Sequence, residues 1–181
     1  MTLSSYLSTL RILLIVPIII LTSFQSSLFN YFSLLLFIIA GLTDYLDGYI
    51  ARKTNTETPL GALLDLLADK LLVCIILIWL IFLNPSIFYI IPALIIITRE
   101  LVISSLRQFL LEKKNLKDLK VSYIAKRKTT MQIICISLII ISPEFGNLFL
   151  IISLFLLWIA ALLSLYSLYE YMNNWYKDIF C

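Results

Sequence analysis

Residues 41–70 read GLTDYLDGYIARKTNTETPLGALLDLLADK. Between Asp44 and Asp69 this stretch carries four aspartates, two glycines and an arginine, and Leu-, Ile- and Phe-rich runs flank it on both sides. Asp44 and Asp47 are three apart, and Asp65 and Asp69 are four apart. Either spacing puts both carboxylates on one face of a helix. Ionisable groups are costly inside a bilayer and are kept there chiefly where they serve a function. The fold therefore turns on whether the flanking runs are membrane spans.

The composition says that they are. Of 181 residues, 61% are apolar and only 14% are charged, and the mean hydropathy is +1.01. Those values fit an integral membrane protein rather than a water-soluble domain. With four glycines and no low-complexity tract, one membrane domain over residues 1–181 is expected. No nucleic-acid partner is expected. Cys74, Cys135 and Cys181 are scattered, without a CxxC pair, and read as apolar packing residues rather than a disulfide framework or zinc site. Histidine is absent, so a general base would be a carboxylate before a Lys or Tyr.

A spanning helix needs about 20 mostly apolar residues. Six segments qualify, near 7–24, 29–49, 60–83, 87–110, 122–142 and 147–171. The expected fold is thus an all-α bundle of six transmembrane helices, with residues 1–6 as a short interfacial start. The tail after Tyr171 is aromatic and also reads as interfacial. The first segment resembles a signal peptide in having Arg11 before an apolar run. No small-residue cleavage site follows at Thr22–Gln25, so it is read as a retained span, bent at Pro17.

Six spans leave both termini on one side. The connections at 25–28, 84–86 and 143–146 contain no Lys or Arg, so all 14 basic residues fall on the other half. By the positive-inside rule that half is cytoplasmic, and both termini with it. The aspartates close the second span and open the third, which puts them at the same end. The basic connection 111–128 reads equally well as a topology anchor near anionic headgroups.

Four carboxylates from two adjacent helices make an all-oxygen, hard-ligand set suited to Mg²⁺ or Mn²⁺ rather than zinc. The set is large enough for two ions, which could clamp a diphosphate. Structural ion pairing is the competing reading. Only Arg52, Lys53 and Lys70 are near in sequence, too few to neutralise four acids. Gly48, Ala51 and Gly61 would let helix backbones or a ligand approach closely, although each glycine alone reads as ordinary packing. Arg52 can offer a bidentate fork to phosphate.

A second basic set lies further on. Arg99 and Arg107 are eight apart, about 80° around a helix, and Lys126 and Lys128 open the fifth span. Arg99 is deep enough to need a partner. Glu100 is expected to point elsewhere on the helix. That leaves a phosphate, a cluster aspartate, or a structural pairing.

The eight fixed positions of the stretch (Asp44, Asp47, Gly48, Ala51, Arg52, Gly61, Asp65 and Asp69) resemble the signature of the CDP-alcohol phosphatidyltransferase family. Ile97–Glu100, Ser105–Arg107, Lys126–Gln132 and the Leu67-Ala68-Asp69-Lys70 ending are similar to one branch, the bacterial phosphatidylglycerophosphate synthases. The resemblance implies six spans, a homodimer, and a cytoplasm-facing site in the bacterial inner membrane. It implies transfer of a phosphatidyl group from CDP-diacylglycerol to sn-glycerol 3-phosphate, with release of CMP. Asp44, Asp47, Asp65 and Asp69 would hold two metal ions, and Asp69 would also act as base. Asp47, Gly48, Ala51, Arg52 and Gly61 would line the CDP site. Arg99, Arg107, Lys126 and Lys128 would hold the acceptor phosphate. Two stretches depart from the pattern. Ser4, Ser5 and Ser8 stand where the family has Pro, Asn and Thr, so only Arg11 and a hydroxyl are retained there, and Leu66 stands where the branch often has Pro.

Other readings remain. The acceptor could be inositol phosphate, whereas the basic set argues against serine. A cation or proton transporter would place acids near mid-membrane with access from both faces, and these acids cluster at one end.

Overall fold

The computed structural model describes residues 3–54, 59–114 and 123–180, with side chains described for 6–43, 61, 63–110 and 129–175. The described chain is helical throughout: α1 (Leu3–Ser23), α2 (Ser27–Thr54), α3 (Pro59–Leu83), α4 (Ile87–Lys114), α5 (Tyr123–Phe145) and α6 (Asn147–Phe180). No strand occurs among the described residues.

Four helices hold stretches long and apolar enough to cross a bilayer: Tyr6–Ser23, Leu63–Leu83, Ile87–Leu110 and Asn147–Trp175. In α2 and α5 the apolar stretches among the described residues are shorter, Ser27–Thr43 and Thr129–Phe145. The surface carries the same message. Leu13, Val16, Phe82, Phe88, Leu148 and Phe155 are all more than half exposed. Large apolar side chains exposed all round a bundle are a liability in water, and in a bilayer they meet lipid.

Helices extend further than hydropathy alone indicates. α1 is already helical at Leu3, and α6 runs past Tyr171 to Phe180. Hydropathy marks where a helix leaves the apolar layer, whereas backbone hydrogen bonding continues beyond it. The connection 143–146 shrinks to Gly146, because α5 carries Pro143 and continues to Phe145. Gly146 has φ +79°, a left-handed conformation that glycine adopts without strain.

The core draws on all six helices, and α3 supplies the most. Leu72, Val73, Ile76, Leu77 and Leu80 of α3 are buried against Ile15 and Ile18 of α1, Phe37 and Ala40 of α2, Ala93 and Ile96 of α4, Ile136 and Ile139 of α5, and Leu157 and Ala160 of α6. Those α3 positions make one stripe at helical spacing. Traced back toward Pro59, the stripe passes through buried Ala68 and Gly61 and through Asp69 and Asp65. The acids are therefore the polar continuation of the central helix's buried face.

Packing order matters for the site. α1 lies against both α2 and α3, while among the described residues α2 and α3 meet only slightly. α5 and α6 form the closest pair, and α6 also lies along α4. At the end remote from the acids, the Trp79 Nε1–H donates to Thr22 Oγ1 at 2.9 Å. The Asn30 amide there donates to Glu144 Oε1 at 2.7 Å. Hydrogen bonds from Ser27 and Asn30 hold the Glu144 carboxyl below the usual glutamate range.

Candidate active site

Asp65 and Asp69 lie one turn apart on α3 and are partly exposed. Asp65 is gripped from α1. Arg11 Nη1 donates to Asp65 Oδ1 at 3.3 Å, and Ser8 Oγ reaches the same oxygen at 3.5 Å. The Arg11 side chain is 0% exposed, whereas that of Asp65 is 40% exposed. The guanidinium thus approaches from inside the bundle and leaves the acid open on its other side.

Lys70 follows Asp69 and turns the other way, toward α4, where its ammonium donates to Ser104 Oγ. The charges of Glu100, Arg107 and Asp69 all act on it. Arg107 also acts on Tyr171 of α6. α3 therefore presents the Asp65 carboxylate toward α1 and the Lys70 cation toward α4, with Arg107 nearby. Acid and base rows share one end of the bundle.

Arg99 sits deeper and is 5% exposed. Its Nη2 donates to Ser167 Oγ of α6 at 2.7 Å, and its Nη1 to Glu100 Oε2 at 3.4 Å. The expectation that Glu100 points away from Arg99 is wrong. Neighbouring residues on a helix do diverge by about 100°. Both side chains are long, however, and their charged ends are shut off from water, so they meet beyond the backbone. The Glu100 Oε1 accepts from Gln132 Nε2 of α5 at 3.3 Å, which completes a polar link across α4, α5 and α6. Among the described residues the buried Arg99 Nε has no hydrogen-bond partner.

Asp44, Asp47, Gly48, Ala51 and Arg52 lie on the helical backbone of α2, and Lys126 and Lys128 on that of α5. Their side chains are outside the described residues. In helical register Asp44, Asp47, Gly48 and Ala51 share one stripe. Gly61 is buried on α3. Among the described residues no three His, Cys, Asp or Glu side chains come together. The described part of the predicted metal set, Asp65 and Asp69, offers carboxylate oxygens on one face, and that donor chemistry fits a hard divalent ion.

Sequence reasoning missed the parts played by Arg11 and Ser8, by Lys70, and by the link through Glu100, Gln132 and Ser167. A signal existed for each. Arg11 is a lone cation in an apolar span, and it and the hydroxyl of Ser8 are what the N-terminal pattern retains. Glu100 and Gln132 are polar residues inside apolar helices, which demand partners.

Comparison with known proteins shows the family. A family model described as CDP-alcohol phosphatidyltransferase matches residues 1–166. The chain belongs to the CDP-alcohol phosphatidyltransferase family. It is 41% identical over 174 residues to a CDP-diacylglycerol–glycerol-3-phosphate 3-phosphatidyltransferase of Rickettsia bellii, covering 94% of this chain and 93% of that one. A protein of the same name from Wigglesworthia glossinidia brevipalpis is 39% identical over 175 residues, covering 95% and 94%. One from Haemophilus influenzae is 35% identical over 168 residues, covering 93% and 90%. For this CDP-alcohol phosphatidyltransferase, the match spans the stretch 44–69 whole, together with Arg11, Lys70, Arg99 and Arg107.

Proposed function

We propose that this CDP-alcohol phosphatidyltransferase moves the phosphatidyl group of CDP-diacylglycerol to sn-glycerol 3-phosphate, giving phosphatidylglycerophosphate and CMP. The observation that carries the reading is the meeting of acidic and basic groups where α3 and α4 share one end of the bundle. The carboxylates Asp65 and Asp69 and the Lys70 ammonium lie on α3, and Arg107 of α4 acts on Lys70. The relatives that match over nearly the whole chain are named for that reaction.

In this mechanism the acceptor phosphate is held on the cationic side and its hydroxyl is turned toward Asp69. Arg107, Arg99, Lys126 and Lys128 are the proposed phosphate partners, and the Nε–H of Arg99 is left for such an acceptor. The Asp69 carboxylate takes the hydroxyl proton, a role worth about 10²–10⁴ in rate for a positioned base. The acceptor oxygen bonds to the phosphorus that carries diacylglycerol, and the bond from that phosphorus to the bridging oxygen breaks, so CMP leaves with the electron pair. Asp47, Gly48, Ala51, Arg52 and Gly61 are proposed to seat the CDP moiety. Asp44, Asp47, Asp65 and Asp69 would hold two Mg²⁺ or Mn²⁺ ions. When bound, the ions neutralise charge on the diphosphate and on departing CMP. Holding both anionic substrates at one membrane face supplies orientation. The acyl chains of the donor stay in lipid. We place the site on the cytoplasmic side of a bacterial inner membrane, in a homodimer.

The test is CMP release from CDP-diacylglycerol by purified protein with Mg²⁺ or Mn²⁺, offering glycerol 3-phosphate, serine, inositol or inositol phosphate singly. Release with glycerol 3-phosphate alone, abolished by chelator and in Asp69→Asn, is the expected result. Release with another alcohol would keep the reaction class and overturn the acceptor assignment. No release from folded, metal-loaded protein would overturn the reading and favour ion transport.

A further inference from the structure

Arg11 is a fully buried arginine in the first apolar helix of the chain. A charged side chain within a spanning helix is costly to insert and is kept chiefly where it has a partner or a task. A leucine would pack in its place without that cost, so a charge kept here needs a task. Its guanidinium is turned to Asp65 of α3, 54 residues away in sequence. Ser8, one turn earlier on α1, converges on the same Asp65 oxygen. Both contacts fall on Oδ1, and neither uses Oδ2.

We infer that Arg11, with Ser8, is a positioning residue for the divalent-metal site, fixing the Asp65 carboxylate through one oxygen so that the other serves as a ligand atom. This rests on the reading of Asp65 as a metal ligand. Metal-ligating side chains are commonly oriented by a hydrogen bond from an outer partner, and losing that partner typically costs 10–100-fold in metal affinity. Arg11 meets the description. Its guanidinium touches the Asp65 carboxylate, it comes from a different helix, and its burial limits its freedom. The α1 wedge between α2 and α3 gives this grip its leverage, because it sets the third acid of the motif from the side opposite Lys70.

The sign of the effect separates positioning from simple electrostatics. A cation beside a ligand repels a metal ion, so charge alone predicts that removing Arg11 tightens binding. Positioning predicts that it loosens.

The experiment titrates Mn²⁺ into chelator-stripped, detergent-purified full-length protein and follows free Mn²⁺ by electron paramagnetic resonance. Wild type, Arg11→Met, Arg11→Lys, Ser8→Ala, Asp65→Asn and the Arg11→Met/Asp65→Asn pair are compared, with melting of the metal-free forms recorded in parallel. Arg11→Met is expected to weaken Mn²⁺ binding about tenfold or more. Arg11→Lys should fall between it and wild type, and Ser8→Ala should weaken binding less than Arg11→Met. The double variant should be no weaker than Asp65→Asn, since residues acting through one contact are not additive. Lower melting with unchanged or tighter Mn²⁺ binding would overturn the proposal and leave Arg11 a structural strut. If Arg11→Met does not fold, Arg11→Lys decides: several-fold weaker binding supports the proposal, and wild-type affinity overturns it. Wild type that binds no Mn²⁺ would overturn the metal reading and this inference together. Binding lost in Asp65→Asn but intact in the Arg11 variants would overturn this inference alone.

Discussion

Arg99 donates from Nη2 to Ser167 Oγ at 2.7 Å across the α4–α6 interface, so this deep cation is braced by a hydroxyl before any substrate arrives. Both residues are buried. Ser167→Ala removes the acceptor and leaves a buried N–H unpaired, which costs about 1–3 kcal/mol. The expected outcome is lower melting in detergent. Ser167→Thr keeps the hydroxyl and should lose less.

Lys70 follows Asp69 on α3, is held by Ser104 of α4, and feels the charge of Arg107. If the acceptor phosphate is drawn to this side, Lys70→Met should raise KM for glycerol 3-phosphate about tenfold, the equivalent of about 1.4 kcal/mol. The KM for CDP-diacylglycerol should change far less. Equal increases in both would place Lys70 outside acceptor recognition. Steady-state CMP release at varied concentrations of each substrate reads the difference.

Gly41 of α2 faces α5 closely: a Cβ there would stand 3.4 Å from the Ile133 Cδ1. That atom ends a flexible side chain and can shift. Gly41→Ala should be tolerated, because the gain in helix propensity, up to about 1 kcal/mol, offsets the tighter contact. Gly41→Leu overfills the same space and should cost about 1–3 kcal/mol. Thermal melting of the pair in one detergent distinguishes them.

Gly146 has nothing within 4 Å of an added Cβ, so space is no obstacle. Its φ of +79° is. A side chain in left-handed backbone costs about 1–2 kcal/mol, so Gly146→Ala should destabilise the α5–α6 corner by that amount and Gly146→Asn by less. Melting temperatures that match wild type would show that the corner relaxes.

Glu144 gives a pH test at the opposite end of the molecule. Its carboxyl titrates below the ordinary glutamate value of 4.5 because Ser27 and Asn30 hydrogen-bond the charged form. A lowered native pKa means the unfolded state binds protons first. The contribution is whole above pH 4.5 and is lost as pH falls through the lower native value. Glu144→Gln and Asn30→Ala should therefore flatten the decline in stability below about pH 4.5 without steepening it near neutrality. An unchanged acid limb would remove Glu144 from the account.

Much of this was readable in the chain. Six apolar runs became six helices because backbone groups in lipid must be satisfied within the helix. The four-residue spacing of Asp65 and Asp69 set them on one face of α3, as any helix would. What could not be read was which helix lies beside which. The small residues Gly48 and Gly61 allowed a close approach of helix backbones or of a ligand, without saying which. Among the described residues α1 packs against both α2 and α3, and no local pattern encodes that choice. For the same reason Arg11 read as a charge marking topology rather than as the neighbour of Asp65. Glu100 was misjudged on backbone angles alone, which ignore how far two long side chains extend toward each other when water is excluded.

The wedge position of α1 also bears on how the protein is made. Arg11 leaves the ribosome in the first helix, and its partner Asp65 lies 54 residues later, in the third. During synthesis the first span is therefore made before the Asp65 carboxylate that its guanidinium meets in the folded chain. That contact can form only after α3 arrives and the chain folds back on its own beginning. Assembly of the site is thus coupled to insertion order, and completion of the third helix is the step that lets the first one come to rest.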